Sequence, residues 1–255
     1  LEAKTQWAMA ERRDPRGFVA YLADLGLAGE KSSFAHFIWF EEREVAGTAA
    51  AGVTVVHNPA SNLALGSGIQ PLVRLVEAGV PVAFGSDGLN VGHMSMFEKA
   101  RLAALLPRVV EADPDRWLTA GAALRMASVN GGRALGRAGE VGTLAAGQLA
   151  DLMVLDGSTV ALQPRGHLPT QVLLNETGTS VRHVFVGGKQ MLRDGAPTRF
   201  SAAETLGEAG DAAARLMRDN ATFAQELEAH RPGLTAMVRR IVAADAGPCR
   251  IAKLL

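Results

Sequence analysis

Cysteine is almost absent from this chain: Cys249 is the single thiol among 255 residues. One cysteine cannot form a disulfide within the chain, so the fold does not depend on the cross-links that stabilise many small secreted domains. Such a composition is typical of proteins kept in a reducing compartment, and we therefore expect a cytoplasmic location.

An excess of charge of one sign is also lacking, because 26 basic residues are balanced by 26 acidic ones. A basic excess is the usual mark of proteins that bind nucleic acid or anionic membranes, so we expect neither partner. No apolar run approaches the roughly 18 residues that a membrane-spanning helix needs. Hydrophobic residues nevertheless make up 48% of the chain, which is enough for a sizeable core in one large domain or one domain with a satellite.

Short apolar segments alternate with helix-like segments in the first third of the chain. Strands are predicted at Ser33–Trp39, Val53–Val56 and Val80–Gly88, with helices between them and a loop rich in Ser, Asn and Gly over residues 60–68. Apolar runs of this length bounded by turn residues are typical of buried strands, and their alternation with helices is typical of parallel strand–helix–strand units. The predicted fold class is therefore α/β.

The sequence pattern changes near residue 139. Strand-like segments follow, and Gly187-Gly188 between two of them predicts a β-hairpin. From Ser201 to Ala244 the sequence is rich in Ala, Glu and Arg and predicts helix, interrupted at Pro232-Gly233. We therefore predict three parts: an α/β part at 1–138, a small β unit at 139–200 and a C-terminal helical segment at 201–255.

Three residues that can hold a metal or a proton lie at or near the ends of the predicted strands. His36 lies in the first strand, His57 follows the second, and Asp87 ends the third between two glycines. The carboxyl ends of parallel strands share one rim, so these side chains can converge there, and His and carboxylate groups suit zinc or iron. Each residue also has a structural alternative, either a core histidine with a backbone partner or an aspartate that shapes its own turn.

Two motifs carry a resemblance to a known family: His57-Asn-Pro-Ala-Ser-Asn-Leu-Ala-Leu-Gly-Ser-Gly68 and Gly85-Ser-Asp-Gly88. They resemble the amidohydrolase superfamily, in particular its cytosine-deaminase-like branch of aminohydrolases and chlorohydrolases. Segments 35–39, 142–155 and 184–189 resemble further motifs of that branch in the same order. The resemblance implies the C-terminal part of a distorted (β/α)8 TIM-like barrel, part of a small β-sandwich, and C-terminal helices.

The resemblance also implies roles for individual residues. Asp87 matches an aspartate that binds the metal and shuttles the proton of the attacking water, and His36 matches a histidine at the reacting centre. Glu2 matches a glutamate that protonates a ring nitrogen of the substrate. The residues expected on the substrate side are His57, Ser61, Asn62 and His93, of which His93 lies in the loop after Asp87. The implied cofactor is one divalent metal, zinc or alternatively iron.

The implied reaction is hydrolysis of a C–N bond other than a peptide bond in a small molecule. We expect deamination of an amino-substituted heterocycle by metal-activated water, with dechlorination on the same scaffold as the alternative. The first-strand His-x-His pair of the family has no counterpart here, and its strand-five histidine would precede Glu2.

Asp87 is therefore the one expected metal ligand that the sequence contains. We expect the C-terminal portion of a longer enzyme, inactive by itself. The alternative is a catalytically silent fragment or binding remnant. The open strand edges of such a fragment favour association, so a homo-oligomer also stays open.

Overall fold

A parallel three-stranded sheet forms the centre of the first part of the molecule. The computed structural model describes residue 14 and residues 16–243, so Glu2 lies outside the described residues. The strands, in the order β1-β2-β3, are Ser33–Ala35, Thr54–His57 and Val82–Phe84. Helices lie in both connections between them, so the predicted α/β alternation is confirmed.

In the part of the chain that the structure describes, seven α-helices accompany this sheet. They are α1 (Phe18–Asp24), α2 (Glu42–Ala51), α3 (Pro59–Ala64), α4 (Leu72–Glu77), α5 (Met96–Leu105), α6 (Ala120–Ala127) and α7 (Val129–Ala134). Their apolar faces and the strands bury one core in which Phe40, Val55 and Val82 are fully inaccessible. Burial of each such side chain contributes about 1.5–3 kcal/mol. This core fixes where each strand ends, and therefore where the residues that follow the strands lie.

The second sheet is antiparallel. Its strands are β4 (Leu152–Leu155), β5 (Val181–Val186), β6 (Lys189–Arg193) and β7 (Ala196–Pro197), and α8 (Leu168–Asn175) lies between β4 and β5 in the chain. Gly187 and Gly188 both have positive φ in the β5–β6 turn, which confirms the predicted hairpin. Arg101 of α5 donates hydrogen bonds to the carbonyls of Leu173 and Glu176, and these bonds join the two parts.

Two long helices end the described chain, α9 (Ala202–Asp219) and α10 (Ala221–Ala243). All residues from 202 to 240 are exposed. Among the described residues, no helix is both long and apolar enough to span a membrane. The division of the chain at 138/139 and 200/201 stays a prediction.

Besides the strand predicted at Val80–Gly88, which is limited to Val82–Phe84, three predicted element boundaries are wrong. The strand predicted at 33–39 ends at Ala35, because His36 and Phe37 have positive φ and turn the chain away. The loop predicted at 60–68 begins as helix α3, since Pro59 occupies a first-turn position that requires no N–H donor.

The third wrong boundary concerns the C-terminal helices. They separate at Asn220 rather than at Pro232, which lies inside α10. The Asn220 side chain donates to the Leu216 carbonyl at 2.8 Å, and such local bonds compete with regular helix hydrogen bonding. Helix α10 is exposed on all sides over 221–240, so the proline ring meets no packed neighbour there.

Candidate active site

The three residues predicted at strand ends lie at one end of the parallel sheet. His36 directly follows β1, His57 is the last residue of β2, and Asp87 lies three residues after β3. The strands are parallel and in register, with His57 beside Phe84. The sheet therefore brings one residue from each strand to a common rim, which is where parallel sheets carry their chemistry.

His36 is held by its backbone as well as by its ring. Its φ is 64°, and Phe37 follows with φ 47°, so two residues with side chains adopt the left-handed conformation in succession. The Gln70 side chain donates from Nε2 to the His36 carbonyl at 2.5 Å, and His36 N–H donates to the Val56 carbonyl at 2.9 Å. These contacts fix the direction in which the imidazole leaves the chain.

The ring of His36 lies between an amide and a carboxylate. Nδ1 is 2.8 Å from Asn62 Oδ1, and Nε2 is 3.8 Å from Asp87 Oδ2. With Asn62 Oδ1 as acceptor, Nδ1 carries the proton. Nε2 is then the nitrogen directed toward Asp87.

Asp87 is an ionised carboxylate with fixed orientation. The Ser61 hydroxyl donates to Oδ2 at 2.6 Å and the Gly88 N–H donates to Oδ1 at 2.8 Å. The Ser61 bond, followed by the Gly88 bond and the charge of His36, holds the pKa of Asp87 below its usual value. The side chain is 37% exposed, so this charged group remains open to solvent and to a ligand.

His57 differs from its two neighbours because it is buried. It is 3% exposed and lies edge-on to Phe84, with ring centroids 6.4 Å apart. Desolvation, and then the charge of His36, lowers the pKa of His57 to about 3. The ring is therefore neutral at physiological pH, and Nδ1 is buried with no hydrogen-bond partner among the described residues.

A glycine is required where β3 reaches the rim. A Cβ on Gly85 would lie 2.1 Å from Asn58 Oδ1 and 2.8 Å from Val56 Cγ1. Gly85 N–H donates to the His57 carbonyl at 2.9 Å, so the two chains approach closely at this point. The absence of a side chain at Gly85 allows Asn58 to pack across the strand end.

The predicted site residues fall into three groups. Ser61 and Asn62 are buried in α3, and their side chains contact Asp87 and His36. His93 is exposed in the loop after Asp87. Glu2 lies outside the described residues, so its role stays a prediction.

Sequence reasoning missed two residues of the rim. Asn58 follows His57 directly, so the motif could have predicted its place beside the rim. Gln70 carries no sequence signal, because its contact with His36 joins residues 34 positions apart. It is 1% exposed, and such a contact emerges from the fold alone.

The rim offers a metal ion one exposed ligand, the carboxylate of Asp87. Across residue 14 and residues 16–243, no group of three or more His, Cys, Asp or Glu side chains is placed to hold a metal ion. Asp87 has the chemistry of a single ligand, since it is ionised, exposed and oriented by Ser61 and Gly88. The described rim therefore fits part of a divalent-metal site.

Comparison with known proteins identifies the family. The model of the amidohydrolase family matches residues 5–191, a span that contains the parallel sheet, strands β4 and β5 of the second sheet, and every rim residue described above. The 5'-deoxyadenosine deaminase of Methanopyrus kandleri is 33% identical over 216 residues, which are 84% of this chain and 50% of that protein. The 5-methylthioadenosine/S-adenosylhomocysteine deaminase of Thermococcus onnurineus is 38% identical over 177 residues, 69% of this chain and 41% of that protein.

Solved structures give the same result. An adenosine deaminase from Xanthomonas campestris with bound zinc superposes with a TM-score of 0.77 and 32% identity, covering 86% of this chain and 49% of that one. Atrazine chlorohydrolase from Arthrobacter aurescens, complexed with zinc, gives 0.74 and 25% identity over 80% and 46%. The chain spans about half the length of the curated relatives it matches. By sequence motif, family model and fold, the chain belongs to the amidohydrolase family.

Proposed function

We propose that the protein is a hydrolase that deaminates an amino-substituted heterocycle, replacing C–NH₂ by C=O with release of ammonia. The observation that carries the proposal is the ionised, open carboxylate of Asp87 beside His36 Nε2 in a chain of the amidohydrolase family. Relatives named as deaminases of 5'-deoxyadenosine and methylthioadenosine favour a purine nucleoside as substrate. The three-stranded sheet would be the C-terminal part of a distorted (β/α)8 barrel, and the second sheet part of a β-sandwich.

Asp87 would hold and move the proton. An ionised carboxylate can accept a proton from the attacking water and pass it to the departing amine. Ser61 and Gly88 orient both carboxylate oxygens. His36 Nε2 faces the same space, and once protonated it would support negative charge that develops on the substrate. Asn62 sets the tautomer of His36.

A divalent metal, zinc by analogy with the solved relatives, would have Asp87 as one ligand. When bound, such an ion lowers the pKa of water toward neutrality. Glu2 would protonate the ring nitrogen, and His57 and His93 would line the substrate side.

The test is an assay of ammonia release by the full-length gene product against 5'-deoxyadenosine, 5'-methylthioadenosine and S-adenosylhomocysteine, after zinc loading. We expect turnover of at least one of them, and none after Asp87→Asn. Wild-type-like turnover by that variant would contradict the role of Asp87. Absence of turnover on all amino-heterocycles tried would contradict the deaminase proposal.

Two alternatives correspond to other outcomes of the same experiments. Chloride release from a chlorotriazine without ammonia release would indicate a chlorohydrolase, as in the Arthrobacter aurescens structure. A catalytically silent binding remnant is favoured by the lack of a three-ligand cluster in the described residues. Metal analysis of the 255-residue chain tests the binding-remnant alternative, because one tightly held zinc per chain would contradict it.

A further inference from the structure

Helices α9 and α10 expose apolar surface that the described chain does not cover. All positions from 202 to 240 are exposed, and eight large apolar side chains among them are between 44% and 76% accessible: Leu206, Leu216, Met217, Phe223, Leu227, Leu234, Met237 and Val238. Asn220 N–H donates to the Leu216 carbonyl at 3.1 Å, and Ala224 N–H donates to the Asn220 carbonyl at 2.9 Å, so the two helices nearly continue one another. A long helix of this kind gains its stability from packing of its apolar face.

The apolar residues repeat every seven positions in two rows. We define row a as Leu206, Ala213, Asn220, Leu227 and Leu234. Row d is Ala209, Leu216, Phe223, His230 and Met237. Spacings that alternate between three and four residues give a period of 3.5, the period of the seam of a left-handed coiled coil. The rows continue across both helices without a shift, so the seam is one feature rather than two.

Pro232 does not interrupt this seam. In the heptad it occupies position f, on the side of the helix opposite to rows a and d. Its ring therefore lies away from the seam, and its missing N–H removes only the backbone hydrogen bond to the carbonyl of residue 228 within the same helix. Row a continues after it with Leu234, and row d continues with Met237.

We propose that α9 and α10 form a parallel two-stranded coiled coil with the same helices of a second copy of this chain. Asn220 is the one polar residue in row a. In a parallel pair it faces Asn220 of the other copy, where the two amides can bond to each other and fix register and strand number. In the antiparallel register with full overlap, row a faces row d, and Asn220 would lie against Phe223.

Charge at the flanks of the seam favours the same orientation. Glu226 occupies position g and Arg231 occupies position e five residues later, the spacing at which parallel strands form an interchain ion pair. The antiparallel alternative would bring Glu226 close to Asp219 of the other copy, and like charges there repel. A second copy in parallel orientation thus pairs Asn220 with its counterpart and Glu226 with Arg231, whose guanidinium also contacts Glu228 of its own chain.

The first test is the mass of the 255-residue chain in solution. Sedimentation equilibrium at about 10 μM should give two chains of 26.8 kDa each. The double variant Leu216→Glu, Leu227→Glu should raise the dissociation constant at least about 100-fold, because it buries unpaired carboxylates in the seam. The matched control is Ala214→Glu, Thr222→Glu, which changes the outer face of the same helices and should leave the dimer intact.

A measurement on the first part of the molecule distinguishes dissociation of the dimer from misfolding of the chain. Trp39 and Trp117 donate to the carbonyls of Ser67 and Glu111 in the first part of the molecule, so their fluorescence, measured in a Trp7→Phe background, should be unchanged in both double variants. A wild-type chain that stays monomeric at about 100 μM would overturn the proposal. A dimer that survives the seam variant would do so as well.

The second test concerns orientation. Glu226→Arg and Arg231→Glu should each weaken the dimer about tenfold, and an equimolar mixture of the two should restore wild-type association as a heterodimer. In the antiparallel arrangement Glu226→Arg would face Asp219 and strengthen the dimer instead. A tighter Glu226→Arg dimer would therefore overturn the parallel coil.

Discussion

The rim of the parallel sheet and the C-terminal helices differ most in the burial of their side chains. At the rim, Ser61, Asn62 and Gln70 are buried and direct their side chains at His36 or Asp87. Along α9 and α10 every residue from 202 to 240 is exposed. Crowding at the rim fixes the orientation of a few polar atoms, whereas the helices keep a regular sequence pattern with no buried side chain over residues 202–240.

This contrast predicts how each region responds to substitution. At the rim an atom added or a charge removed disturbs a fixed arrangement, because packed interiors cannot relax freely. On an exposed helix an added atom or a removed charge alters stability only through helix propensity, or alters association through the seam. Substitutions matched between the two regions therefore test the comparison directly.

The largest effect is expected from Asp87→Asn. Asparagine keeps the shape and tolerates the φ of 59°, but it cannot take up a proton as a carboxylate does. We expect kcat/KM of the full-length enzyme to fall at least about 10³-fold, with little change in thermal stability. Asp194→Asn is the matched control, because Asp194 also has positive φ, 50°, but lies outside the rim. Equal losses in the two variants would show that backbone conformation, and not the carboxylate, is what matters.

The next effect is expected from Gly85→Ala. The added methyl would meet Asn58 Oδ1 at 2.1 Å, and overpacking of a closed site costs about 3 kcal/mol. Urea unfolding followed by tryptophan fluorescence should show the loss. The double variant Gly85→Ala, Asn58→Ala should regain part of it because the clashing amide is gone. A Gly85→Ala protein as stable as the wild type would contradict the close approach seen here.

A pH effect follows from the burial of His57. Its pKa is lowered to about 3 in the folded protein and is about 6.5 in the unfolded chain. As the pH falls below 6.5, the unfolded state takes up the proton first, so the folding stability due to this residue is present above that pH and declines below it. Between pH 7 and pH 5 the decline should reach about 2 kcal/mol.

His57→Gln should flatten that pH dependence, whereas His93→Gln should not, since His93 is exposed. The measurement is the free energy of unfolding from urea titrations at both pH values. An unchanged slope in His57→Gln would show that another group binds the proton.

The sequence predicted the rim better than it predicted the paths of the chain that form it. Residue type and position after apolar runs were enough to select His36, His57 and Asp87, because parallel strands must bring their ends together. The direction of the His36 side chain could not be predicted from the sequence. It depends on left-handed backbone at two consecutive residues and on Gln70, which is distant in the chain. The burial that makes His57 neutral also depends on packing with Phe84, which no local pattern records.

At the other end of the chain, local pattern was the better guide. Composition predicted the helices over residues 202–243 because propensity is a local property. It failed at the interruption, because α10 continues through Pro232 despite the backbone hydrogen bond that a proline removes from its helix. Rim chemistry thus depends on long-range contacts, and the helices depend on periodicity.

Gly207→Ala gives the smallest effect and has the opposite sign to Gly85→Ala. Gly207 lies inside α9 with no heavy atom within 4 Å of the position of a new Cβ, and it lies outside rows a and d. Alanine therefore meets no clash and stabilises the helix by up to about 1 kcal/mol through its higher propensity. Thermal unfolding followed by circular dichroism should show a higher midpoint for the helical signal. A loss of stability would mean that a contact covers this face of α9, and the helices would then resemble the rim rather than contrast with it.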